Sequence, residues 1–427
     1  MAQQPPWLNQ ILSDTSPPST LYAWDPSNLN LTYNPPPTTG SDDLSRRIFV
    51  LGVGNLGRMY AAYLAQNKVP ITLVVHRKEL LRQWVEGNGI EISRLGKLYQ
   101  NKEFAIEYWS EEEPESGPIK EVAGGFTLRN LVIATKASAA LPEVDRARKY
   151  LDSNSTVTFA QNGMSKFWPP HGNSYLSHRY PNGNGFNILA CIANHGVLSK
   201  GPFKSRHASP ANASIGPVLT QTPLPPSAEY TIEQIVSAPF IDAKSFNSTE
   251  LWIVQLEKLI VNSCLNPLTA LLRVKNGYLF EKEGGILATI ISRVLQEASA
   301  ILQALVQHDS CTDILAASVP QSNETEKAAH VQKLRQDLTD RFAQARLKDM
   351  VYVIGDRVKE NTSSMLQDAR AGKKTEIRDF NGWLVDMANF IDPSLDVTTN
   401  QKLIDLVEEA GDGLTVAELG VHFQLQE

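Results

Sequence analysis

Gly52, Gly54 and Gly57 stand in G-x-G-x-x-G spacing within RRIFVLGVGNLGRMYAAYLAQ, which begins at Arg46. Three glycines so spaced have separate uses. The first permits a tight turn, the second lets the backbone approach a pyrophosphate, and the third lets a helix pack on a sheet. The flanking residues supply the order this needs. Ile48 to Leu51 is a short apolar run that reads as a buried parallel strand. Met59, Ala62, Tyr63 and Leu64 then repeat as a helix would. The helix N-terminus would face the phosphates with unpaired N–H groups. A glycine turn with no ligand is the competing reading, and the strand–turn–helix context weighs against it. A second strand reads at Ile71 to Val75. An NAD site usually has Asp or Glu at this strand's end, to hold the ribose hydroxyls. Here the chain runs His76-Arg77-Lys78, with Arg77 twenty positions after Gly57. A cation there suits a 2′-phosphate, favouring NADP over NAD. Glu79 keeps NAD open, and a solvated basic turn is the plain alternative.

A second constellation lies in EKLIVNSCLNPLTALL, from Glu257. Lys258, Asn262 and Asn266 recur every four residues, a spacing that drifts by only about 40° per step in a helix and keeps them near one face. A solvated stripe explains this equally well. Asn266 also precedes Pro267, so it could cap a new helix with proline at its first position. Apolar strands at Leu131–Ala134 and Val157–Ala160 lead into Lys136 and into Gln161-Asn162-Gly163. Ligands of open α/β sheets lie outside such carboxyl ends. An ordinary surface lysine and an ordinary turn are the alternatives. Further on are Ser363-Ser364 in ENTSSMLQDARAG and Glu376 in KKTEIRDFNGWL. Ser363 could cap a helix, and Thr375 could cap one whose first turn favours Glu376.

The elements that must position these residues differ between the two halves. Up to about residue 245 apolar strands dominate. Beyond Phe246 the pattern is helical, with Ile286, Ile290, Val294, Ala298, Ile301, Leu302 and Leu305 on one long amphipathic face. Leu347, Met350, Val351 and Ile354 mark another helix, and Phe380, Trp383, Leu384, Met387 and Phe390 a third. The fold class is α/β: an N-terminal Rossmann-type dinucleotide-binding domain over 46–245, then an all-helical domain over 246–427. Residues 1–45 contain no Lys or Arg and many prolines, and read as a flexible lead-in. The Ser-, Pro- and Ala-rich stretch Gly201–Pro226 reads as a loop. The polar stretch His308–Lys327 reads as a link between helices.

The 427 residues are 42% hydrophobic and 20% charged, as in a soluble globular protein, with a net charge of −6. That charge argues against a nucleic-acid partner. No uninterrupted apolar run reaches membrane-spanning length, so no membrane partner is expected. Cys191, Cys264 and Cys311 are far apart and odd in number. They match no zinc spacing, so no metal is expected, and they suit a reducing compartment. Neither a secretory nor a transit signal is present, which leaves the cytoplasm as the expected location.

Taken together, Lys136 after a strand, QNGM at Gln161, KLIVNSCLNPLTAL at Lys258 and SSMLQDARAGKKTEI at Ser363 resemble the ketopantoate reductases. The resemblance runs from about Arg47 to Glu409 and includes IGPV at Ile215. The tail and the two polar stretches lie outside a minimal member. It implies NADPH-dependent reduction of 2-dehydropantoate to (R)-pantoate, on the way to pantothenate and coenzyme A. It implies cofactor contacts for Gly52, Gly54, Gly57, Arg77, Lys136 and Asn162. Lys258 would be the catalytic lysine and Glu376 an active-site acid. Asn262, Asn266 and Ser364 would contact the substrate, in a cleft between the domains. Reduction of another branched 2-keto acid is a second reading, because the lysine addresses only the carbonyl. A non-catalytic NADP-binding scaffold is a third. A homodimer is left open.

Overall fold

The computed structural model describes residues 5–36, 44–282, 284–317, 324–409 and 411–425. The chain divides into two compact units. One is Asp14–Asn247; the other is Ser248–Glu427 together with the N-terminal segment up to Ser13, which carries helix α1 (Pro6–Ser13).

The first unit is built on β1 (Tyr22–Trp24), β2 (Ile48–Leu51), β3 (Ile71–Val75), β4 (Ile90–Arg94), β5 (Lys97–Asn101), β6 (Ala105–Ser110) and β7 (Asn130–Ile133). It continues with β8 (Thr156–Phe159), β9 (Asn187–Ala193), β10 (Gly196–Gly201), β11 (Lys204–Ser209), β12 (Ala213–Leu219) and β13 (Ala243–Ser245). Among the described residues the main sheet has nine strands in the order β1-β6-β3-β2-β7-β8-β9-β12-β13. From β6 to β9 every pairing is parallel. β2, β3, β7, β8 and β9 are buried at every position, which is why the first four read as short, mostly apolar runs without alternation. The helices of this unit are α2 (Asn55–Gln66), α3 (Glu79–Glu86), α4 (Ala137–Arg146), α5 (Gly172–Arg179) and α6 (Pro226–Ser237).

Two expectations are corrected here. The described part of the lead-in is not a free tail. Ser19–Asp25 is a proline-free window, and within it β1 pairs antiparallel with the outer edge of β6. Leu21, Ala23 and Trp24 are buried, and Leu21 N–H donates to the Tyr150 hydroxyl at 2.8 Å. The Gly201–Pro226 stretch is not a loop either. It forms β11 and β12, whose small and polar residues fit because β12 lies between β9 and β13 and β11 belongs to a second sheet, β10-β11-β4-β5. This small sheet is tied to α2 by a buried chain. The Tyr63 hydroxyl lies 2.8 Å from His207 Nδ1, and His207 Nε2 lies 3.1 Å from His195 Nδ1. The Ala211 N–H also donates to His195 Nδ1, and His195 Nε2 faces the Ile241 carbonyl at 2.8 Å. A backbone N–H can only donate and a carbonyl can only accept. His195 is therefore neutral with its proton on Nε2, and its Nδ1 accepts from His207 Nε2; burial, which lowers the His207 pKa to about 4, keeps that ring neutral as well.

The second unit contains α7 (Ser248–Leu272), α8 (Gly285–Gln307), α9 (Thr312–Ala316), α10 (Glu324–Arg341), α11 (Gln344–Arg357), α12 (Ser364–Arg370), α13 (Ile377–Ile391), α14 (Thr398–Glu409) and α15 (Val416–His422). Helices α11, α13 and α14 each pack against both α7 and α8. By length and composition α8 could span a bilayer, although Arg293, Gln296 and Glu297 interrupt its apolar run. Its periodic apolar residues are instead buried in this helical unit. Part of the polar stretch after His308 forms α9 and the start of α10, while residues 318–323 fall outside the described residues.

Candidate active site

In the strand-rich unit, four turns follow the carboxyl ends of neighbouring parallel strands. Gly52 follows β2, Arg77 follows β3, Lys136 follows β7 and Asn162 follows β8, and these strands are adjacent in the order β3-β2-β7-β8. This is the edge of an open α/β sheet where ligands bind. The three glycines answer to three constraints. Gly52 has φ +99°, and a side chain there would meet the Thr135 and Ala134 backbone at 2.7–2.9 Å. A Cβ on Gly57 would come within 2.0 Å of the Gly52 carbonyl oxygen, so this glycine lets α2 start against the turn. Around Gly54 a Cβ meets nothing within 4 Å, and φ is −76°. Neither packing nor backbone conformation requires glycine at that position. The open space beside it, at the N-terminus of α2, fits a phosphate approaching the backbone.

The other residues of this edge are graded in exposure. Arg77 is exposed, while Lys136 and Asn162 are half-buried. Lys136 is the N-cap residue of α4, and its carbonyl accepts from Ala140 N–H. Gln161, beside Asn162, is buried, and its Oε1 has no hydrogen-bond partner among the described residues. A buried acceptor left so is costly unless something donates to it. The glycine turn, the open space and this acceptor together fit a dinucleotide. Sequence reasoning missed Arg58. It is buried and donates to the carbonyls of Gly54, Gly201 and Lys204, fastening the glycine turn to the β10–β11 hairpin. Burial lowers its pKa to about 10, so it stays charged at neutral pH. No local signal marks it, because two of its three carbonyl partners lie 143 and 146 residues further along the chain.

In the helical unit, α7 runs unbroken through Pro267. The expectation that Asn266 caps a new helix there is overturned. Proline cannot donate to the carbonyl four residues back, that of Ser263. Asn381 on α13 supplies the donor instead, its Nδ2 reaching Ser263 O at 3.1 Å. Asn381 also donates to Asn400 Oδ1 at 2.9 Å, and Asn400 Nδ2 donates to the buried Glu297 carboxylate at 2.7 Å. Glu297 in turn accepts from the Thr399 and Asn400 N–H groups at the start of α14. A continuous helix is thus possible because its missing bond is replaced from outside.

Between Leu251 and Leu271 the α7 residues that are not buried are Val254, Glu257, Lys258 and Asn262. Lys258 and Asn262 are half-buried, unlike a stripe bathed in water. Asn266 continues their line and is buried, with Nδ2 3.4 Å from the Ser364 hydroxyl oxygen. Ser363, the neighbour of Ser364, caps α12 by accepting from Leu366 N–H, and its hydroxyl meets Thr269 on α7 at 2.7 Å. Glu376 is buried at the N-terminus of α13, where the helix dipole favours a carboxylate. It is itself the N-cap residue; Thr375 does not take that place. The structure therefore brings the elements bearing Lys258, Asn262, Asn266, Ser364 and Glu376 together around α7. It adds one residue that sequence reasoning missed. Asn276 is buried, its Nδ2 donates to Val358 O at 3.2 Å, and its Oδ1 has no partner among the described residues. Followed by glycine, it reads as a plain turn in the sequence, and only the packing of its segment on Lys359 and Asn361 shows otherwise.

The fold of the first unit and its glycine turn are those of a dinucleotide-binding protein, and its relatives make the chain an oxidoreductase acting on a CH–OH group. The family described as "Ketopantoate reductase PanE/ApbA" matches residues 48–219, and "Ketopantoate reductase PanE/ApbA C terminal" matches residues 251–410. The chain belongs to the ketopantoate reductase family, whose members use NAD(P)H and act on small 2-keto acids. It is 44% identical to a protein of Gibberella fujikuroi named "Ketoisovalerate reductase BEA2", over 95% of this chain and 96% of that one. It is 42% identical to "Ketoisovalerate reductase" of Beauveria bassiana, over the same shares. A "Probable 2-dehydropantoate 2-reductase" of Schizosaccharomyces pombe is 25% identical over 81% of this chain and 91% of its own length. The fold is also that of a crystal structure titled as a probable 2-dehydropantoate 2-reductase from Bacillus subtilis, at TM-score 0.52, 20% identity, and coverage of 85% and 99%.

Proposed function

We propose that this protein is an NADPH-dependent reductase of a branched 2-keto acid, with 2-ketoisovalerate as its substrate and 2-hydroxyisovalerate as its product. The observation that carries the substrate is the 42–44% identity, over 95% of the chain, to two proteins named ketoisovalerate reductase. Identity to the proteins named for ketopantoate in Schizosaccharomyces pombe and Saccharomyces cerevisiae is 24–25%. The two acids share the carbonyl and carboxylate and differ in a hydroxymethyl group. A lysine that addresses the carbonyl does not separate them.

Reduction adds a hydride to the carbonyl carbon and a proton to its oxygen. Bound NADPH supplies the hydride. Lys258 Nζ, as an ammonium, polarises the ketone and donates the proton to the developing alkoxide. Asn262, Asn266 and Ser364 orient the acid so that a single pose meets the lysine. Glu376 holds the lysine or a substrate group in place. Gly52, Gly54 and Gly57 admit the pyrophosphate, Lys136 and Asn162 contact the cofactor, and Arg77 meets the 2′-phosphate.

The test is loss of NADPH absorbance with 2-ketoisovalerate, beside ketopantoate and beside NADH. A clearly higher kcat/KM for 2-ketoisovalerate with NADPH is expected. Preference for ketopantoate would keep the mechanism and return the substrate to the pathway to pantothenate. Tight NADPH binding without turnover of any 2-keto acid would leave only the scaffold reading.

A further inference from the structure

The β3–α3 turn carries His76, Arg77 and Lys78. Under the reading above, Arg77 selects the cofactor, and the inference that follows rests on that reading. Lys78 is not available in the same way. Its Nζ lies 3.7 Å from the centre of the Trp24 ring and 3.2 Å from Glu112 Oε2. Trp24 comes from β1, the N-terminal strand added to the edge of the main sheet. Trp24 pairs with Tyr108 on β6, and Tyr108 with Val75, the last residue of β3. One row across three strands thus ends beside the selecting turn. Trp24 is held on its own side as well. It is buried, its Nε1 donates to Glu112 O at 2.8 Å, and the next residue, Asp25, caps the 3-10 turn Pro26–Leu29 and pairs with Lys120 at 3.2 Å. A slip of one residue in β1 would turn the indole to the opposite face.

We propose that Trp24 is a positioning residue for cofactor selection: it anchors Lys78, fixes the 76–78 turn, and so presents Arg77 to the 2′-phosphate of NADPH. Lys78 is then a tether with a neutralised charge, and Arg77 is the cation left facing the ligand. The N-terminal strand becomes part of the cofactor specificity of this chain, although it touches no reacting group.

The experiment compares kcat/KM for NADPH and NADH in the unsubstituted 427-residue chain and in Trp24→Leu, Trp24→Phe, Lys78→Met and Arg77→Ala. A cation–π contact of this kind is worth enough for Trp24→Leu to lower the NADPH/NADH ratio by about threefold or more. The change should appear in KM for NADPH, with kcat kept. Trp24→Phe retains a ring face and should recover most of the ratio. Lys78 is partly exposed, so Lys78→Met tests the idea even if Trp24→Leu does not fold. It should lower the ratio and speed hydrogen exchange at the Leu80 and Leu81 amides, which close the turn on the Arg77 and Lys78 carbonyls. Unchanged exchange in Lys78→Met, or an unchanged or raised ratio in Trp24→Leu, overturns the proposal. If Arg77→Ala leaves the ratio unchanged as well, the assignment of Arg77 has failed; if only Arg77→Ala moves it, this inference alone has failed.

Discussion

Lys258 occupies a half-buried position on a helix that is otherwise almost wholly enclosed, and a general acid on that face should be separable from a packing residue. Lys258→Ala is expected to lower kcat by about 10²–10⁴ with NADPH affinity retained, as loss of a positioned proton donor does. Single-turnover kinetics beside a fluorescence titration of NADPH would show the split. Equal loss of both would mean that the lysine supports the fold. Gly54 offers a cleaner probe of the ligand. Alanine there meets no atom within 4 Å and needs no unusual φ. Gly54→Ala should therefore melt like the native protein while binding NADPH at least about tenfold more weakly, the effect of roughly 1.4 kcal/mol. Gly57→Ala, with its Cβ 2.0 Å from a carbonyl oxygen, should lower the melting temperature as well. At this scale the sequence was informative wherever a residue's type is demanded by local geometry or motif order. The glycines and the positions of Lys136 and Asn162 at strand ends could be read directly. Asn276 and Arg58 could not, because their meaning lies in partners that are distant along the chain.

Among the elements, α7 shows how far a local rule can mislead. Asn-Pro reads as the start of a helix, yet α7 passes through Pro267 because Asn381 donates to the carbonyl that proline leaves unpaired. That donor sits more than a hundred residues away, so no window of sequence around Pro267 contains the answer. Asn381→Leu would strand the Ser263 carbonyl and disturb the Asn400–Glu297 contacts. A cost of about 1–3 kcal/mol for each buried acceptor left unpaired is expected, read as a lower urea midpoint. A midpoint equal to the native one would show that α7 satisfies Ser263 by another route. The parallel strands β2, β3, β7 and β8 were legible as short apolar runs, and the helices α8, α11 and α13 by their apolar periodicity; β6 and β9 were not read. β11 and β12 were not legible either. A strand rich in Ser, Ala and Pro carries little pattern of its own, and its place is decided by the strands beside it. β1 was hidden in the same way, with proline on both sides of a window just long enough to pair.

For the whole molecule, stability should depend on acid. Burial lowers His207 from 6.5 to about 4, and His171 likewise. A histidine whose folded pKa is lowered is kept neutral by the fold, while the unfolded chain takes up a proton first. The contribution is therefore complete above about pH 6.5, is lost progressively as pH falls from there to about 4, and changes no further below that. The melting temperature should fall across this window. His207→Phe should melt lower at neutral pH, having lost the bonds to Tyr63 and His195, but with a flatter dependence on pH. A slope unchanged by the substitution would assign the acid sensitivity elsewhere. The outer strand β1 has a further consequence at this scale. By covering β6 it closes one border of the main sheet, and an uncovered strand border invites pairing with another chain. Trimming the protein to begin at residue 44, a natural choice when only the family core is wanted, would lay that border bare. The shortened enzyme should then aggregate on concentration, a hazard of solubility set by a segment remote from the chemistry.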